Sequence, residues 1–361
     1  LRPLFQGWHD RARGGIIAGE DRARKGLAMK AAVFHAHGPL ENLGYEDVAD
    51  PLPGPSEILI AVGAVALNGF DPMVLRGIPG LRTPLPMIPG ADIAGTIVGF
   101  GAEVDRSRWT LGDRVTVIPL QPTGMMGETK RGGASDLVAV EQDFVLPIPD
   151  GVSFVEAACL PTAYGTALRM METRGQVRAG DKVLILGASG GVGTCCLQLA
   201  KALGCEVVAC ASSAWKCQRL RELGADHVIE TNAQNYVAEI HRLYGKPRTR
   251  GGGGVDVVIN YTGGDTWAEC FRTLRLQGKL LTCGATAGYD PKTDIRYIWS
   301  FEFNIIGCNG WTREDQVELL RRVAARTLVP VVHSTVPLRD IRVPFQQLID
   351  RQVFGKAVLL P

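Results

Sequence analysis

The stretch Ala188-Ser189-Gly190-Gly191-Val192-Gly193 has the residue types to hold an anion. Glycines let backbone approach a pyrophosphate closely, and a helix N-terminus offers free N–H groups and a partial positive charge. The pattern is Ala-x-Gly-x-x-Gly, with alanine in place of the first glycine of the usual dinucleotide fingerprint. Further on, Ser212 and Ser213 can donate hydrogen bonds to a phosphate, and Lys216 or Arg219 can supply charge. An NAD site carries an acid here to grip the ribose hydroxyls. Glu206 stands at the wrong end of its strand, and no acid adjoins Ser212 in the chain. This reading favours NADPH over NADH. The alternative, that Lys216 and Arg219 only solvate a helix face, stays open.

Such a turn needs a strand before it and a helix after it. Val183 to Gly187 is an apolar run suited to a buried parallel strand, and Val192, Cys195, Cys196, Leu199 and Leu203 recur at helical spacing. Strands and helices then alternate: Glu206–Ala211, His227–Ile229, Val255–Asn260, a helix near Trp267–Leu274, and Lys279–Cys283. Alternation of this kind predicts an α/β fold, a Rossmann-type doubly wound parallel sheet, with Phe303–Cys308 as an edge strand. Tyr261-Thr262-Gly-Gly264 and Gly284-Ala285-Thr286 end its fourth and fifth strands. Their backbone groups are expected to hold ribose and carboxamide, because ligands of open sheets lie at strand carboxyl ends.

The chain has 361 residues, 46% of them hydrophobic, with a formal charge of +2, which fits two domains and implies neither nucleic acid nor anionic membrane. It lacks an apolar run of the roughly 18 residues that a membrane helix needs. Nine cysteines form no Cys-x-x-Cys pair and read as buried hydrophobes of a reducing, cytoplasmic compartment. Residues 1–28, with six basic side chains, read as a leader of uncertain origin before Met29. Residues 29–150 are strand-like and rich in proline turns, and are expected to form a compact β domain. The dinucleotide domain spans 151–310, and 311–361 is a helix and short strands that return to the β domain.

The span from Met29 to Pro361 resembles the medium-chain dehydrogenase/reductase superfamily, and within it the zinc-independent quinone oxidoreductase branch of zeta-crystallin type. The matching pieces are Leu67-Asn-Gly-Phe-Asp71, Pro89-Gly-Ala-Asp-Ile-Ala-Gly95, Gly112-Asp-Arg-Val115, Leu160-Pro-Thr-Ala-Tyr164, the turn at 188–193, Leu223-Gly-Ala-Asp-His-Val-Ile229 and Gly355-Lys-Ala-Val358. The resemblance implies a GroES-like catalytic domain in the β-rich part. It places Lys216 on the 2′-phosphate of NADPH, adds Lys356 to the cofactor contacts, and implies a homodimer through the edge strand near 303–308, where Trp299, Phe301 and Phe303 supply apolar surface. The alternative for these aromatics is ordinary core.

The superfamily's catalytic zinc needs a cysteine near Asn68 and a His-Glu pair after Gly90, where this chain has Asn68 and Ala91-Asp92. Zinc wants three protein ligands plus water, so the metal is read as absent and Asp92 as a carboxylate that fixes its own loop. Asp71 reads as structural. Without a Lewis acid, the acceptor must carry its own electron sink. The expected activity is therefore NADPH-dependent hydride transfer to a quinone or α,β-unsaturated carbonyl. The expected catalytic set is Asn68, Thr162 and Tyr164. Asn68 either faces the acceptor or ties down a loop, and Thr162 and Tyr164 border the nicotinamide unless the tyrosine is core. Two alternatives remain: an enoyl-thioester reductase, and an NADPH-binding protein without turnover. Met73–Pro79 lacks the tyrosine acid common in the former.

Overall fold

The computed structural model describes residues 28–361. The leader expected over 1–28 lies, apart from Ala28, outside the described residues. The first part of the chain is strand after strand: β1 (Ala28–Phe34), β2 (Leu43–Ala49), β3 (Glu57–Ala66), β4 (Asp92–Phe100), β5 (Arg114–Val117), β6 (Leu120–Gln121), β7 (Gly124–Met125), β8 (Leu137–Glu141) and β9 (Val145–Pro147). Then follow β10 (Lys182–Ile185), β11 (Glu206–Ala211), β12 (His227–Glu230), β13 (Val255–Ile259), β14 (Leu274–Thr282) and β15 (Asn304–Gly307), and finally β16 (Val332–Pro337) and β17 (Lys356–Leu360).

Strands β10–β15 form one parallel sheet in the order β12-β11-β10-β13-β14-β15. The strand order reverses between β10 and β13, and ligands of such sheets bind in that crevice. Val183, Leu184 and Ile185 are fully buried, as helices on both faces require of a run without polar alternation. The second sheet runs β16-β17-β3-β4-β5-β9, with β8 also on β3. The last strand of the chain, β17, thus pairs with β3 of the N-terminal part, Val358 opposite Ala66.

The helix expected to reach Leu274 ends at Cys270, where the Thr273 hydroxyl donates back to the Cys270 carbonyl, and β14 already begins at Leu274. Several elements were not anticipated, among them the short helices Asp71–Arg76 and Ile295–Ser300. Arg342–Ile349 is a helix where only short strands were expected. A helical run from Phe154 to Arg174 joins the two sheets. Ser153 starts it with a reciprocal cap, its hydroxyl accepting from Glu156 N while the Glu156 carboxylate accepts from Ser153 N. At Leu160–Tyr164 the run widens to a π turn, where Pro161 has no N–H to give the helix.

Candidate active site

The glycine turn shows why its residues are what they are. The left-handed backbone falls at Gly187, with φ of 67°, so alanine at 188 is tolerated and its methyl is buried. Gly193 cannot be larger, since a Cβ there would lie 2.6 Å from both Ala188 Cα and the Tyr261 hydroxyl. Gly191 is less tightly constrained: a Cβ would lie 2.9 Å from Lys356 Cδ and 3.0 Å from Ala163 Cβ, both side-chain atoms. The helix Gly191–Ala202 begins inside this turn and directs its first N–H groups toward the crevice. Tyr261, unremarked in the sequence beyond its place in a strand end, donates its hydroxyl to the Gly187 carbonyl at 2.6 Å and props the turn.

Buried Asn260 shapes the end of β13, its Oδ1 accepting from Thr262 N at 2.9 Å and Gly263 N at 3.1 Å. Ala287 N donates to Thr262 O at 2.7 Å, which draws the loop carrying Gly284 and Ala285 against this end. A depression of about 530 Å³ opens beside them, lined by Gly284, Cys308, Asn309, Arg169 and Arg174.

Four side chains from distant segments converge, three of them on the carboxylate of the fourth. Asp92 is fully buried. Its Oδ1 accepts from Thr162 N at 2.9 Å and Thr162 Oγ1 at 2.5 Å. Its Oδ2 accepts from Asn68 Nδ2 and Lys356 Nζ, both at 2.9 Å. Lys356 also donates to Asn68 Oδ1 at 2.6 Å, which closes a triangle of amide, ammonium and carboxylate. Asp92 therefore does not merely fix its own loop; it joins Asn68, Thr162 and Lys356. The loop-fixing role belongs to Asp71, which accepts from Asn68 N at 2.6 Å and Gly90 N at 3.1 Å. Burial pushes the Asp71 pKa up to about 7 against the pull of those two N–H groups.

Lys356 is the residue whose part the sequence understated. It opens β17, and Gly355 just before it donates its N–H to Ser189 O at 2.8 Å. The cation that touches Asn68 and Asp92 is thus hung from the glycine turn itself.

Tyr164 is not brought into this group. It is fully buried, and its hydroxyl accepts from Val331 N at 2.8 Å, so it packs the core. At the far end of the crevice, Lys216 is 4% exposed and its ammonium donates to the Arg351 carbonyl. Burial first, then the charge of Arg351, holds its pKa below the usual lysine range. The Arg219 guanidinium lies 4.9 Å from the Phe354 ring centre. Ser213 precedes the helix Ala214–Glu222, and its hydroxyl is buried with no hydrogen-bond partner among the described residues. Ser212 is half-buried beside it. Sheet register adds an acid that the linear reading did not place, Glu230 of β12 opposite Ala211.

The aromatics before β15 divide. Phe303 is buried and stacks on Phe301 and Phe271 at 5.4 and 5.9 Å, whereas Trp299 is 62% exposed.

Comparison with known proteins agrees with this architecture. A profile described as "Alcohol dehydrogenase GroES-like domain" matches residues 54–150, and one described as "Zinc-binding dehydrogenase" matches 191–325. The rat synaptic vesicle membrane protein VAT-1 homolog is 30% identical over 86% of this chain and 78% of its own. Crotonyl-CoA reductase of Streptomyces avermitilis is 29% identical over 84% and 78%. Mouse quinone oxidoreductase is 28% identical over 92% and 98%. The crystal structure of AibC superposes with a TM-score of 0.82 at 30% identity, covering 93% of this chain and 96% of that one. An NAD-dependent alcohol dehydrogenase does so with 0.84 at 30%, covering 92% and 100%. The chain belongs to the medium-chain dehydrogenase/reductase superfamily and is an oxidoreductase of the NAD(P)-dependent type.

Proposed function

We propose that the chain is an NADPH-dependent, zinc-independent reductase that delivers hydride to a quinone or an α,β-unsaturated carbonyl. The triangle of Lys356, Asn68 and Asp92 carries this reading. The resemblance puts the superfamily's catalytic zinc near Asn68 and Ala91-Asp92. Here an ammonium already stands 2.6 Å from the amide oxygen and 2.9 Å from the carboxylate, and every acceptor atom is engaged. A divalent cation would meet that charge and find no thiolate or imidazole, so the residues present do not fit zinc.

Ser189 to Gly193, with Thr262, Gly284 and Ala285, are suited to hold the dinucleotide, and Ser212, Ser213 and Lys216 its 2′-phosphate. The unpaired buried hydroxyl of Ser213 supports the phosphate, being a donor without a partner at a helix start. When bound, the reduced nicotinamide supplies the hydride. The chain's own part is to orient the acceptor and stabilise charge arriving on its oxygen. Asp92 holds Asn68 rigid with a second amide hydrogen left to give, Thr162 borders the site with its hydroxyl proton already given to Asp92, and Lys356 supplies a fixed positive field beside them.

An enoyl-thioester reductase is the second reading. Arg169 and Arg174 beside Gly284 favour it, since a thioester carrier bears phosphates that arginines recognise. The edge position of β15, with Ile305 and Trp299 exposed, supports a homodimer through this strand. No described helix is long and apolar enough to cross a membrane, and the nine free cysteines support a reducing compartment such as the cytoplasm. The deciding experiment follows NADPH absorbance against quinones, enones and enoyl thioesters, with metal analysis of the same sample. Oxidation of NADPH by one of these classes without zinc is the expected result. Stoichiometric zinc, or tight NADPH binding with no acceptor reduced, overturns the proposal.

A further inference from the structure

Reducing a conjugated alkene adds a proton as well as a hydride, and the four converging side chains do not offer one to carbon. The Thr162 hydroxyl and the Asn68 amide already donate to Asp92. Loss of a proton from Lys356 would leave Asp92 as a buried charge without its counterion.

A carboxyl group stands on a strip of chain packed between the loop that leads to Asp92 and the loop after β15. After the β6–β7 hairpin, Gly127 lies against the loop leading to Asp92, where a Cβ would be 3.0 Å from Gly90 N and 3.1 Å from Ala91 N. Gly132 and Gly133 hold the strip there, donating to Ile88 O at 2.6 Å and Gly90 O at 2.8 Å. On its other side the hairpin meets the loop after β15, where a Cβ on Gly310 would be 2.7 Å from Leu120 Cδ2. Glu128 follows Gly127 directly. Its carboxylate is half-buried and has no hydrogen-bond or ion-pair partner among the described residues. The neighbouring cation Lys130 is turned to Gln121 Oε1 at 2.6 Å and Thr123 Oγ1 at 3.1 Å. A half-buried carboxyl left unpaired costs stability, and burial raises its pKa above the ordinary 4.5.

Building on the reductase reading, we propose that Glu128 is the general acid, which protonates the α-carbon of an α,β-unsaturated carbonyl acceptor. The hydride pair forms the C–H bond at the β-carbon, and the alkene π pair shifts onto the α-carbon and carbonyl oxygen. That pair takes the proton from the Glu128 carboxyl, whose O–H bond breaks. Glu128 is left as a carboxylate and regains a proton from water, to which its partial exposure gives access. Hydride and proton together saturate the double bond, and no further reductant is needed.

The test compares wild type, Glu128→Gln and Glu128→Asp. In nucleotide-free protein, difference infrared titration of wild type against Glu128→Gln is expected to show a carboxyl with its midpoint above 4.5. With an enone in D₂O, wild type is expected to place deuterium on one face of the α-carbon. Glu128→Gln is expected to lower kcat by about 100-fold, to deuterate both faces, and to bind NADPH as wild type does by fluorescence. Glu128→Asp recovers the one-faced product. Full turnover with one-faced deuteration in Glu128→Gln overturns the assignment of Glu128 alone. Absence of turnover in wild type with every acceptor overturns the reductase reading and this proposal with it.

Discussion

The ammonium of Lys356 and the carboxylate of Asp92 meet at 2.9 Å with 2% and 0% of their side chains exposed. A pair taken so far from water repays its desolvation only while both partners are present. Lys356→Met is expected to lose about 3–5 kcal/mol of stability, because Asp92 is left charged and buried. Asp92→Asn is expected to lose a similar amount. The double variant is expected to lose clearly less than their sum, and urea unfolding of the four proteins measures the coupling. Additive losses would mean that the two charges do not act as a unit.

Asp71 gives the fold a specific dependence on pH. Its pKa lies near 7 in the folded chain against an ordinary 3.8, so between these values the folded state holds a proton that the unfolded state has released. Stability from this group is full below pH 3.8 and declines as pH rises through about 7. Removing the carboxyl with Asp71→Asn is expected to flatten that decline in urea midpoints taken across this range. An unchanged slope would assign the decline to other groups.

The nucleotide end of the crevice predicts opposite effects from two charges. Lys216→Ala is expected to weaken NADPH about 10- to 100-fold, the range of a charged hydrogen bond, while NADH changes little. Glu230→Gln is expected to strengthen NADPH relative to NADH, because it removes an anion from the strand end beside Ser212. Equal effects on both nucleotides would move the 2′-phosphate elsewhere. Titration calorimetry with each nucleotide reads the difference directly.

Gly191→Ala should separate the site from the fold. Its methyl would press on Lys356 Cδ at 2.9 Å and Ala163 Cβ at 3.0 Å, two buried side chains beside the glycine turn. Activity is expected to fall at least tenfold while thermal unfolding shifts by only a few degrees, since strain at one packed contact costs about 1–3 kcal/mol. Loss of the folded state would show that the contact is architectural.

Ile305→Asp places a charge on the outer strand of the parallel sheet. It is expected to leave a monomer in sedimentation velocity where the parent chain sediments as a dimer. A dimer that persists would locate the subunit contact on another face.

The parallel sheet was legible because its strands are buried on both sides and its helices are periodic, so each element announces itself within about ten residues. The glycine turn was legible for the same reason. Lys356 was not, since its partners Asn68 and Asp92 lie 288 and 264 residues away and no local pattern links them. Asp92 was misjudged on the same ground, as its donors come from other segments. Tyr164 was read as bordering the nicotinamide or as core, and in the π turn Thr162 meets Asp92 while Tyr164 is fully buried. Glu230 became visible only through strand register.

The tie from Gly355 to Ser189 gives β17 an unusual standing. The strand pairs with β3 and also carries the cation that meets Asn68 and Asp92, so a slip of its register would withdraw that cation from both partners. Substitutions in this strand are expected to disturb the cluster around Asp92, and libraries that aim to change the acceptor gain from including it.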